Sequence, residues 1–301
     1  MGSAKWSSEA YSHLKSSYSS KRRDEIFSKK EMDSLMSPMN IKYREARDSD
    51  SHPNTIPIII ALDVTGSMGH IPEFLIKEKL GTLIETLLKH GVNDPAILFC
   101  AIGDHRFDSA PLQIGQFESG ALELNRWLSS TWLEAGGGDA PESYGLAHIF
   151  ASKYTSLDSF EKRKQKGFLF TVGDQTAHKN YEGEYLANIF GSYYQKGMNI
   201  SLEDAIEAAQ SMYHVFHLNI NEISNGDVLT DWRKYLGQNV IRVTDFKNLA
   251  EHIATTVSVV QGEDLHKVVA GFDSKTSIEV KDALVHISSG LTKKSDGIIN
   301  L

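Results

Sequence analysis

Cysteine is nearly absent from this chain. Its 301 residues include one, Cys100. No disulfide can form within the chain. Cys100 lies in the apolar run Ala96-Ile97-Leu98-Phe99-Cys100-Ala101-Ile102, where a buried small side chain is expected rather than a reactive thiol. Long apolar runs are also missing. No segment reaches the roughly 20 residues of a membrane-spanning helix, and the first residues hold no apolar signal core. An intracellular, cytoplasmic protein is therefore expected. Positive charge is scarce too: 31 Lys and Arg stand against 39 Asp and Glu, a net charge of -8. Binders of nucleic acid or of anionic membranes need a positive field, so neither class is expected. There is no Walker A sequence, no kinase signature and no evident pairing of nucleophile and general base.

What is present supports an ordinary folded domain. Hydrophobic residues make up 41% and charged residues 23%, enough for a sizeable core. Residues 1–55 differ from the rest. They are Ser-rich and carry ten Lys and Arg against eight Asp and Glu, a balance of +2 that leaves -10 for the remainder. Short helices are expected over residues 9–18 and 22–36. Trp6, Tyr11, Leu14, Ile26, Phe27, Leu35 and Met36 give this arm something to bury, on the body or on a partner.

From residue 56 strands and helices alternate. Residues 56–62, 95–102 and 167–172 are continuous apolar runs, the pattern of strands buried on both faces. Residues 213–218 and 240–243 read as two more strands, and 112–117 as a short edge strand. Residues 72–90 place apolar side chains at helical spacing and end at Gly91. Helices are expected near 122–128, over 142–154 with Pro141 at the entry, over 201–211 with Ser201 as cap, and over 245–260. The alternation predicts an α/β fold: a doubly wound, mostly parallel, Rossmann-like sheet flanked by helices, over residues 56–262. Residues 263–301 form an appendage. There Ser277-Ile278-Glu279-Val280 alternates like an edge strand, and a partner-binding tail is the other reading.

In such a sheet ligands sit beyond the carboxyl ends of the strands. The first strand is followed by Asp63-Val64-Thr65-Gly66-Ser67, the second by Gly103-Asp104-His105, and the third by Gly173-Asp174-Gln175-Thr176. Gly136-Gly137-Gly138-Asp139-Ala140-Pro141-Glu142 precedes the helix expected over 142–154. Four oxygen-rich, glycine-flanked loops are therefore expected at one edge. Hard oxygen donors without sulfur suit Mg²⁺, with Ca²⁺ or Mn²⁺ as alternatives, over Zn²⁺. The i, i+2, i+4 spacing of Asp63, Thr65 and Ser67 lets a tight loop aim three oxygens at one ion. Gly66 allows the turn. Asp104 and His105, the only nearby imidazole, suit either a buried structural role or hydrogen-bonded support of a metal ligand. His214 and His217 lie two apart in a strand and read as structural.

These residues resemble the metal-ion-dependent adhesion site of von Willebrand factor type A (VWA) domains. The family pattern is Asp-x-Ser-x-Ser after the first strand, a Thr or acidic loop in mid-chain, and an Asp after a later strand. Asp63, Thr65 and Ser67 match the first element, with Thr in place of the first Ser. Asp174 matches the last. The middle element departs from the common Thr form and is similar to the Gly-Gly-Gly-Asp-x-Pro-Glu stretch of VWA domains attached to some atypical kinases. The resemblance implies that Glu142 replaces the Thr as a ligand, with Asp139 beside it as an acceptor behind it or as a ligand to a neighbouring ion.

The resemblance also implies a function. VWA domains commonly bind protein partners whose Asp or Glu completes the coordination of the metal. Intracellular members often work in multiprotein assemblies with AAA+ ATPases of the MoxR type. The expectation is a metal-dependent protein-binding module and no enzyme. A metal-dependent hydrolase or phosphotransfer enzyme is the alternative, although position 65 is Thr where phosphatases with an aspartyl nucleophile carry Asp. A scaffold with a purely structural metal is the third reading.

Overall fold

The computed structural model describes residues 4–134, 141–220 and 227–296, without the side chains of Asn40, Ser67 and residues 288–296. Its centre is a six-stranded sheet. The strands of the chain are β1 (Arg44–Ala46), β2 (Ile56–Asp63), β3 (Pro95–Ile102), β4 (Leu112–Ile114), β5 (Thr155–Leu157), β6 (Gly167–Gly173), β7 (Asn180–Glu182), β8 (Asn199–Ser201), β9 (Tyr213–Ile220) and β10 (Val240–Val243). The central order is β10-β9-β6-β2-β3-β4, parallel except for the antiparallel edge strand β4. β1 pairs with β5, and β7 with β8, in two small separate sheets.

The continuous apolar runs follow from burial on both faces. Ile58, Ile60, Leu62, Phe99, Phe168 and Phe170 point into one core layer. Ile59, Ala61, Leu98, Cys100 and Leu169 point into the other. Alternate side chains thus serve opposite layers, and each fully buried Ile or Phe contributes about 1.5–3 kcal/mol. The fold is a doubly wound α/β sheet of the Rossmann-like kind.

The winding fixes the place of a site. From β2 the chain crosses to β3 on one side, and from β6 it crosses to β9 on the other. β2 and β6 are neighbours, with Leu62 opposite Val172. The gap beyond their carboxyl ends is a topological switch point, where ligands of open α/β sheets bind. Asp63 ends β2, and Asp174 directly follows β6.

After β2 the chain enters a 3₁₀ turn (Gly66–Gly69) and a helix, His70–Phe74, which passes through a π turn (Leu75–Lys79) into Leu80–Lys89. The N-terminal segment packs there. A helix, Ser8–Tyr18, sets Tyr11 against Gly81, where a Cβ would overlap the ring. Tyr18, Ile26 and Phe27 join the same core, and Arg23 pairs with Glu73 at 2.7 Å.

Three expected elements differ. The helix expected over 22–36 is a single turn, Arg23–Ile26, with a separate 3₁₀ turn at Ser34–Met36. The helix expected from residue 142 begins at Gly145. Glu142 instead bridges to Ala177 in the loop after β6, and Ser143 N–H bonds to the Gly103 carbonyl after β3. Pro141 therefore does not open a first helical turn. The expected strand at 277–280 lies within the helix Ser274–Asp296. Val280, Leu284 and Ile287 are buried at helical spacing, while Ile278 is exposed. The longer 3.6-residue period overrides the short alternation.

Candidate metal centre

The first loop is shaped by its own hydrogen bonds. Asp63 Oδ1 accepts from the Thr65 backbone N–H at 2.9 Å and from the Thr65 hydroxyl at 2.6 Å. The Met68 N–H closes the turn onto the Thr65 carbonyl at 2.8 Å. Gly66 sits at φ +24°, a region that side chains rarely adopt. Asp63 Oδ2 accepts from the Tyr144 hydroxyl at 2.6 Å. That hydroxyl occupies the space where a Cβ on Gly173 would stand, so Gly173 and Tyr144 fit each other. Tyr144 is held in turn by Trp232 and His217, with ring centroids 5.5 and 5.3 Å away. Trp232 Nε1–H reaches the Gln175 carbonyl at 3.0 Å.

Residues 142 and 143 stitch the strand ends together. Glu142 N–H donates to the Thr176 carbonyl at 2.9 Å, and its own carbonyl accepts from His178 N–H at 3.0 Å. Ser143 N–H donates to the Gly103 carbonyl at 3.3 Å. Glu142 is thereby carried to the ends of β2, β3 and β6 together.

The electrostatics are those of crowded, buried carboxylates. Asp63 and Asp174 are each 1% exposed, and Glu142 is 4% exposed. Burial first, and Asp174 in addition, push the Asp63 carboxyl up to about 6, although the Thr65 and Tyr144 hydrogen bonds oppose the shift. Burial, then the charges of Asp63 and Asp104, push Glu142 up to about 8, against the Thr65 hydroxyl. The Tyr144 phenol is raised well above its ordinary value by burial and by Asp63. Glu142 Oε2 is buried and has no hydrogen-bond partner among the described residues. Among those residues neither Asp63 nor Glu142 is hydrogen-bonded to a Lys or Arg.

A divalent cation fits this donor set. Desolvated carboxylates that repel one another, with neutral hydroxyls beside them, are stabilised by a small hard ion. Asp63, Thr65, Glu142 and Asp174 are the described side chains that could hold it. The Ser67 backbone lies in the same turn, and its side chain is outside what the structure describes. Asp139 lies outside the described residues.

Beside this group stands a second cluster, in which His178 joins Asp104 and His105. Asp104 Oδ1 lies 3.1 Å from His178 Nε2 and 3.8 Å from His105 Nδ1. His105 Nδ1 meets the Ser143 hydroxyl at 2.7 Å, and the same hydroxyl accepts from the His105 backbone N–H at 2.9 Å. Burial raises the Asp104 carboxyl, but hydrogen bonds from His178 and the Arg106 N–H outweigh it and leave it lowered. His105 is held down to about 4, mainly by burial and then by His178, so its ring is neutral at pH 7. His178 follows Asp174 by four residues. Only its pairing beside Glu142 brings it to Asp104, and no spacing in the sequence announces that. His217 is buried against Trp232, with its Nδ1 2.9 Å from the Thr171 hydroxyl, and takes no part.

No protein-family profile matches the chain, and no characterised protein matches it in sequence. Solved structures share its general arrangement at low identity. The pilus adhesin SpaC from Lactobacillus rhamnosus GG, in its open conformation, is 9% identical over 72% of this chain and 31% of its own, with a TM-score of 0.48. Proximal thread matrix protein 1 of the mussel byssus is 10% identical over 72% and 49%, at 0.46. A von Willebrand factor type A protein from Catenulispora acidiphila is 14% identical over 70% and 44%, at 0.41. The chain thus spans less than half the length of each, and no residue of the site follows from these likenesses.

Proposed function

We propose that this chain is a VWA-type, metal-dependent protein-binding module. In this reading Asp63, Thr65, Ser67, Glu142 and Asp174 hold a Mg²⁺ ion, for which Ca²⁺ or Mn²⁺ could substitute, and Asp139, outside the described residues, is a further candidate ligand. The observation that carries the reading is the meeting of buried Asp63, Glu142 and Asp174 at the switch point, with no Lys or Arg hydrogen-bonded to Asp63 or Glu142 among the described residues. When bound, the ion supplies an electrophilic position for an Asp or Glu side chain of a partner protein. The chain's own residues set that position. Thr65 and Tyr144 fix the Asp63 carboxylate, and Gly173 leaves room for the Tyr144 hydroxyl.

The partner sought is a protein, with an AAA+ ATPase of the MoxR type as one candidate, and no nucleic acid or membrane. Among the described residues no helix is long and apolar enough to cross a membrane. The role is binding within an assembly, without turnover of its own. Partner capture by the intact chain should require Mg²⁺ and should be lost with chelator or in Asp63→Ala. Capture that survives both changes would sink this reading.

A further inference from the structure

The cluster of Asp104, His105 and His178 has a different chemistry from the oxygen loops. One donor atom from each residue lies within 4.8 Å of the others, and all three residues are buried. Two of the separations are 3.1 and 3.8 Å. Donors around a transition ion at about 2.0–2.2 Å stand roughly 3–4 Å apart, so small side-chain rotations bring these atoms to bonding range. Two imidazoles and one carboxylate form a borderline donor set, suited to Zn²⁺, Fe²⁺ or Co²⁺ and poorly suited to Mg²⁺.

The surroundings hold the ligands in place. The Asp104 backbone N–H is tied to the Asp108 carboxylate at 2.7 Å, and the Arg106 N–H holds Asp104 Oδ1 at 2.8 Å. Tyr181 and Tyr185 pack on the His105 ring, with centroids 5.3 and 5.0 Å away. A hydrogen-bonded Asp–His pair alone would leave no loose ends. Here Asp104 Oδ2 is buried without a hydrogen-bond partner among the described residues, and so are His105 Nε2 and the Glu182 Oε2 that it faces at 3.7 Å.

We propose that Asp104, His105 and His178 form a second cation site, selective for a borderline transition ion of the Zn²⁺ class, next to the oxygen-donor site. The ion ties the β3 loop to the loop after β6. None of these three residues is a ligand in the Mg²⁺ reading, so this site stands independently of it.

The test uses the full chain, stripped with chelator and then given Co²⁺ in the presence of excess Mg²⁺. One equivalent of Co²⁺ should bind and show visible ligand-field bands stronger than those of the hydrated ion. Proton NMR of the same sample should show paramagnetically shifted N–H signals from two imidazoles. Zn²⁺ should displace Co²⁺ and Mg²⁺ should not. His178→Ala and the milder His178→Gln should lose the bands, while Asp63→Asn should keep them. A spectrum like hydrated Co²⁺, or bands lost in Asp63→Asn and kept in His178→Gln, overturns the proposal. The wild-type NMR signal decides the matter even where a His178 variant does not fold.

Discussion

Replacing Glu142 by Gln should stabilise the metal-free protein at pH 8 and do nothing for it at pH 4. The carboxyl is held up from 4.5 to about 8 by burial and by the neighbouring charges of Asp63 and Asp104. An unfolded chain releases this proton near 4.5, and the native protein releases it near 8. Between those values the native state holds one proton more, so stability falls as pH rises through the window. Each pH unit is worth about 1.4 kcal/mol, which sets an upper bound of about 5 kcal/mol. Water entering a metal-free loop screens such charges, and about 2 kcal/mol is the working figure. Gln keeps the shape and cannot ionise. Its advantage should therefore grow from pH 4.5 to 8 and then level off, reaching a melting temperature about 3 °C above wild type. Saturating Mg²⁺ should reverse the order at pH 8, because the ion binds only the deprotonated carboxylate and stabilises wild type by mass action. Thermal melts at several pH values, with and without Mg²⁺, read all of this. Equal destabilisation of Glu142→Gln at every pH, with or without metal, would show an ordinary hydrogen-bonded carboxylate and refute the reasoning.

Three further outcomes follow from the same geometry. Tyr144→Phe removes the hydrogen bond to Asp63 Oδ2 and should cost about 1.5–3 kcal/mol in urea unfolding at pH 8, where Asp63 is ionised, with less loss at pH 4. Gly173→Ala forces a Cβ into the Tyr144 hydroxyl and should cost about 1–3 kcal/mol; part of this should return in the double variant with Tyr144→Phe, which a double-mutant cycle measures. Gly81→Val drives a side chain into the Tyr11 ring, so the N-terminal segment should lose its seat and trypsin should cut after Lys15 or Lys21 faster than in wild type.

The fold class was legible because strands buried on both faces must be apolar at every position. Ile58 to Leu62 and Phe168 to Val172 show why: neighbours along the strand enter opposite core layers. Ser201 was equally readable, since a side chain that accepts from the Asp204 N–H belongs at a helix start. Asp63, Asp104 and Asp174 stand at strand ends because an apolar run stops where its sheet stops. Long-range fit left no such trace. Tyr144 matters through a hydroxyl that needs Gly173 opposite, 29 positions away. His178 reaches Asp104 only through the bridge at Glu142 and Ala177. Pro141 misled for the same reason, because tertiary pairing of Glu142 with Ala177 and of Ser143 with Gly103 overrode a local helix signal. At 277–280 a four-residue alternation was too short to compete with three buried positions spaced by helical turns.

The central claim is that the loops after β2 and β6, with Glu142, hold a hard divalent cation. Anomalous diffraction from crystals grown with Mn²⁺ tests it most directly. A peak bonded to oxygens of the Asp63–Ser67 loop and Glu142, with Asp174 alongside, and absent in crystals of Asp63→Ala, is the expected result. Mn²⁺ density elsewhere with none at this edge, in protein shown to be folded, would contradict it.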